Sequence, residues 1–79
     1  MPMFYFHIRR GDELRRDLEG TDLPSVEEAH EEAVVAAREM LAQRLLRGEP
    51  IDDDQFEITD EAGAVVDTFP FRSVLMLKP

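Results

Sequence analysis

Polar and apolar residues alternate from Met3 to Arg9. Phe4, Phe6 and Ile8 fall on one side, and Tyr5, His7 and Arg9 on the other. A period of two is that of a strand with one buried face. Arg10-Gly11-Asp12 follows with turn chemistry. Leu14 to Leu18 then reads as a second, weaker strand returning beside the first, closed by Gly20.

The longest signal is helical. Ser25-Val26-Glu27-Glu28 fits a capping box, in which Ser25 accepts from the Glu28 N–H and the Glu28 carboxylate reaches back. Glu27, Glu28, Glu31 and Glu32 crowd the positive end of the helix dipole, and Arg38, Arg44 and Arg47 lie towards its negative end. Gly48 stops the helix, with Pro50 just beyond. At roughly 100° per residue, Val26, Ala29, Ala33, Ala37, Met40 and Leu41 form one stripe that faces the core, its small middle residues allowing close approach to a sheet.

Alternation resumes at Gln55 to Thr59, with Phe56 and Ile58 on one side. Asp60-Glu61-Ala62-Gly63 predicts a type I turn with Gly63 left-handed. The register that follows sets Asp60 opposite Ala64, Ile58 opposite Val66 and Phe56 opposite Thr68. Glu57 then meets Asp67 on the outer face. Pro70 marks the end of pairing or an edge strand, and the apolar tail Val74 to Leu77 reads as a short strand or a docking segment.

The order β-β-α-β-β predicts an α+β fold in a single domain spanning residues 1–79. Two β-hairpins make an antiparallel sheet, and one long helix packs on one of its faces. The pattern does not determine the strand order.

Composition narrows the function classes. The hydrophobic fraction of 43% is enough for a folded domain and not a disordered chain. There is no cysteine, which excludes disulfides and thiolate zinc sites. No apolar run approaches the roughly 20 residues that span a bilayer. Arg9 and Arg10 follow the first apolar stretch where a signal peptide would have them precede it. A soluble cytoplasmic protein without membrane contact is expected. The net charge of −9 disfavours nucleic acid as a partner, since such binding rests on neutralising phosphates. Arg9, Arg10, Arg15 and Arg16 nevertheless cluster in one short stretch.

Several spaced motifs carry a resemblance: Phe4-Tyr5-Phe6-His7, Gly11-Asp12, Asp17-Leu18-Glu19-Gly20, Leu23-Pro24 before the capped helix, Phe56-Glu57-Ile58-Thr59-Asp60 before Gly63, and Pro70-Phe71. Along nearly its whole length the chain resembles a family of small bacterial domains of unknown function, common in alphaproteobacteria. The resemblance implies a small ββαββ domain and carries no activity, cofactor or partner.

No catalytic constellation stands out. The chain lacks a Ser-His-Asp set, a phosphate-cradling glycine loop and a metalloprotease helix, so an enzyme, a cofactor or a metal is not expected. His7 lies on the uncovered face of the first strand, and the expectation is a partly exposed histidine bonded to a neighbouring carboxylate. His30 beside Glu27 and Glu31 makes a weak metal site and reads as a boundary residue packed by its ring. The run Asp52-Asp53-Asp54 lacks the alternation and glycine of a calcium loop and reads as a solvated loop.

Two surfaces remain. The uncovered sheet face, with Tyr5, His7, Arg9, Glu57 and Asp67, is the candidate interaction surface of a non-enzymatic protein-interaction or regulatory module. The alternative is a small regulatory nucleic-acid binder using the Arg9, Arg10, Arg15 and Arg16 corner. On the helix back, Val35, Ala42 and Leu46 form a second apolar stripe without supporting ion pairs at i,i+3 or i,i+4. A helix from Val26 to Arg47 runs about 33 Å, and a strand such as Met3 to Arg9 only about 23 Å. The tail Val74 to Leu77 is one candidate cover for Leu46. A second chain is the other, and a homodimer with contact near Val35, Ala42 and Leu46 is the preferred reading.

Overall fold

The computed structural model describes residues 2–50 and 53–75. The chain runs β1 (Met3–Arg10), β2 (Glu13–Arg15), β3 (Thr21–Asp22), α1 (Val26–Arg47), β4 (Asp54–Thr59), β5 (Val65–Pro70) and a closing 3₁₀ turn (Phe71–Leu75). Every pairing is antiparallel, in the order β2-β1-β4-β5, and β3 pairs with the start of β1. One helix on one face of this sheet makes the α+β fold that the residue pattern predicts.

Helix α1 begins and ends where its caps require. Ser25 is extended (φ −158°, ψ 166°), and its Oγ accepts from the Glu28 N–H at 3.2 Å. At the other end Gly48 adopts φ 71°, so that its N–H reaches the Leu45 carbonyl at 3.2 Å and the Glu49 N–H the Arg44 carbonyl at 2.9 Å. The inward stripe of Ala29, Ala33, Ala37 and Leu41 is buried against Phe4, Phe56, Ile58, Phe69 and Phe71. Alanines on the helix and phenylalanines on the sheet are complementary in size, so the backbone of α1 lies close over the rings. Phe56 anchors them, with Phe71 at 4.7 Å between centroids and Phe6 edge-on at 6.0 Å.

Four expectations are corrected. The second strand does not continue from Leu14 to Leu18. It pairs only over Glu13–Arg15, and the chain rejoins β1 as β3. Between them Asp17 takes the Phe6 N–H on its carboxylate at 3.0 Å, where a strand would have offered a carbonyl.

The second correction is the register of the second hairpin. The turn forms as expected, with Gly63 at φ 85° and the Asp60 N–H on the Ala64 carbonyl at 3.0 Å. A bulge then opposes Thr59 to Val65 and Ile58 to Asp67, leaving Val66 as the extra residue. Val66 still packs against the core, but Asp67 turns to the helix side, and Thr68 takes its place opposite Glu57.

Thirdly, the described start of the tail, Val74 and Leu75, forms no strand: it closes a 3₁₀ turn that buries Phe71, and Val74 docks partly against the core. Met76 and Leu77 lie outside the described residues. Finally, the inward stripe is shorter than its periodicity suggested, since Val26 at its start is 38% exposed. Among the described residues no helix is long and apolar enough to cross a membrane.

Candidate functional site

The uncovered face of the sheet carries Tyr5, His7 and Arg9 on β1 beside Thr59, Glu57 and Gln55 on β4, residue for residue. His7 sits at its centre. The Asp17 N–H donates to His7 Nδ1 at 3.0 Å, and Nε2 lies 3.2 Å from Thr59 Oγ1. Since Nδ1 accepts, the neutral ring carries its proton on Nε2 and donates it to the hydroxyl. The partners are therefore a backbone amide and a threonine, where a carboxylate was expected.

Asp17 closes the arrangement. Its carboxylate accepts N–H bonds from Phe6 (3.0 Å), Glu19 (3.2 Å) and Gly20 (3.2 Å). Burial pushes its pKa up, but the three amides together with nearby His7 outweigh that and hold it below the usual aspartate value. Tyr5 stacks on His7 at 6.3 Å between centroids and also packs on Gly20. Gly20 has φ 73°, and a Cβ there would come within 2.8 Å of Tyr5 Cε2. His7 and Asp17 thus pin the 17–20 segment to the sheet.

The rest of the candidate surface is similarly engaged. Arg9 pairs with Glu57 across the β1–β4 ladder. Asp67 is not on this face: its carboxylate lies 2.7 Å from His30 Nδ1 on α1. His30 also meets Phe69 edge-on at 5.3 Å, as befits a boundary residue packed by its ring. No group of three or more metal-ligating side chains occurs among the described residues.

The clustered arginines divide between the two sides of the sheet, Arg9 on one and Arg10 and Arg15 on the other. Alternation puts Arg9 on the open face and Arg10 on the helix side. Arg10 grips Asp54 with two bonds, Nε to Oδ1 at 2.8 Å and Nη2 to Oδ2 at 3.0 Å. Arg44 of α1 adds a third, Nη2 to Oδ2 at 2.7 Å, while its guanidinium lies 5.8 Å from the Phe71 ring centre. The Asp54 side chain is 1% exposed. Arg10 lowers its pKa, burial opposes this, and Arg44 adds to the lowering, so the carboxyl stays below the usual aspartate value.

The acidic run is accordingly not one solvated loop. Asp54 belongs to β4 and is buried, whereas Asp53 is 84% exposed and paired with Arg72 at 2.9 Å. Asp52 lies outside the described residues. Beside the Asp54 cluster, between the second half of α1 and the β1–β2 edge, opens a cleft whose lining includes Ile8, Arg15, Met40 and Arg44.

Asp17, Thr59, Arg44 and Asp54 were not singled out from the sequence. A signal existed for two of them. Arg44 lies seven residues after Ala37 and so on the inward stripe, and Asp54 lies two before Phe56 and so on the inward side of its strand.

The helix back is the least covered apolar surface. Leu46 is 87% exposed and Val35 46%, with Ala42 exposed between them, and Leu45 at 60% lies to one side of this stripe. No curated protein and no solved structure matches the chain. Residues 3–72 match the profile of the family described as "Domain of unknown function (DUF6894)". The chain belongs to that family.

Proposed function

We propose that this domain is a non-enzymatic interaction module of the cytoplasm, and that its contact surface is the back of α1, used to bind a second copy of the chain. The observation that carries this reading is the exposure of Leu46 (87%) and Val35 (46%) on one side of the helix, with Leu45 (60%) beside them. Large side chains grouped on one element of a small domain favour a protein contact.

The sheet face supports the same choice by elimination. Its polar groups are occupied internally: Arg9 by Glu57, and His7 by Thr59 and Asp17. A partner docking there would have to displace bonds already made. Nucleic acid is disfavoured for a related reason, because Arg9 and Arg10 already donate to Glu57 and Asp54 and do not project as one basic patch. A catalytic role for His7 finds no support either, since both ring nitrogens have structural partners.

The cysteine-free sequence permits a direct test. Ala42→Cys places a thiol in the middle of the helix back, and Leu18→Cys places one on an exposed loop residue (86%) as a control. Mild oxidation is expected to link Ala42→Cys chains into dimers well ahead of the control. Equal rates for the two would count against contact at this face.

A further inference from the structure

We propose that the cleft between α1 and the β1–β2 edge binds a small organic anion. Its carboxylate or phosphate head would lie against Arg15 and Arg44, and a short apolar body along Ile8, Leu14 and Met40. The charge balance points this way. Three guanidiniums, from Arg10, Arg15 and Arg44, line the cleft against two carboxylates, Glu13 and Asp54. In a chain of net charge −9 this pocket is locally cationic.

Hydrogen bonding sharpens the argument. Both Asp54 oxygens are already used by Arg10 and by Arg44 Nη2. Arg44 Nη1 is buried and has no hydrogen-bond partner among the described residues. The Phe71 ring beside it, 5.8 Å from the guanidinium carbon, favours the cation but offers no lone pair. Arg44 lines the cleft, so an oxyanion seated there is the acceptor this buried donor lacks, reached once the guanidinium turns towards it. Arg15, exposed at the same cleft, has no ion pair among the described residues and is the second donor.

The walls determine the rest of the ligand. Ile8, Leu14 and Met40 give the cleft an apolar side, so a bare inorganic ion would leave contact surface unused. A metal cation would meet an excess of positive charge. An extended polyanion would meet only one small cleft, on an otherwise acidic chain.

Titration of the full chain with acetate, hexanoate, hexyl phosphate and inorganic phosphate, followed by amide NMR shifts at constant ionic strength, tests the proposal. Saturable shifts centred on Leu14, Arg15 and Arg44 are expected, with hexanoate or hexyl phosphate binding more tightly than the ion that lacks the hexyl chain. Which of these two binds better identifies the head group. Arg15→Gln, at an exposed position, should weaken binding about tenfold, the loss of one charge-assisted bond. Shifts that fail to saturate, shifts centred elsewhere, equal binding of acetate and hexanoate, or an affinity unchanged by Arg15→Gln would each overturn it.

Discussion

His7 and Asp17 hold each other across the break in the sheet edge. The Asp17 amide donates to the imidazole at 3.0 Å, and the Asp17 carboxylate takes the amide of Phe6, the residue before His7, also at 3.0 Å. This pair lets the chain leave β1 after Arg15 and return at Thr21 without orphaning the backbone in between. Asp17→Ala removes the acceptor of three amides and should cost about 1–2 kcal/mol in a denaturant titration. His7→Ala should cost about 1 kcal/mol with the fold intact. A neutral outcome for Asp17→Ala would mean that the segment is held by other contacts.

Acid should unfold the domain through the aspartates. Asp17 and Asp54 both have folded pKa values below their ordinary 3.8. A depressed folded value means that the unfolded chain takes up protons first. The stabilisation is therefore complete above about pH 4 and is lost as pH falls through the folded values. Urea midpoints should stay level down to about pH 4 and then drop as the pH falls further. Asp54→Asn should be weaker at neutral pH and flatter in acid. An acid limb as steep as that of the wild type would remove Asp54 from this account.

The start of α1 rests on one side chain. Ser25→Ala deletes the acceptor of the Glu28 amide and should lower stability by about 1 kcal/mol. An unchanged midpoint would show that the bond contributes nothing.

Gly20 combines a left-handed backbone with a ring at its Cα. Gly20→Ala adds about 1–2 kcal/mol of backbone strain and a methyl group within 2.8 Å of Tyr5 Cε2. A destabilised domain with altered Tyr5 ring resonances is expected, and a variant as stable as the wild type would contradict the close packing.

Much of the fold was legible because its signals are local. The Ser25 and Gly48 caps, the alanine stripe and the alternation of β1 depend only on near neighbours in sequence. What escaped depends on a third party. The bulge at Val66 reverses Asp67 because His30 and the core wait on the helix side, and nothing within Val65–Pro70 announces that. Asp54 reads as one more residue of an acidic loop until Arg10 and Arg44 converge on it from two other elements. Tyr5, His7, Arg9 and Glu57 share the uncovered face, as the alternation of their strands predicts. Their role as internal clamps became visible only once Asp17, far from Thr59 in sequence, was placed beside them.

The central claim is that the back of α1 is a contact surface between copies, and Leu46 is its most exposed apolar side chain at 87%. Sedimentation velocity of the wild type and of Leu46→Glu, both at high micromolar concentration, tests it most directly. A wild type that sediments as a dimer and a folded variant that sediments as a monomer are the predicted results. A wild type that stays monomeric throughout, or a variant that dimerises equally well, would contradict it.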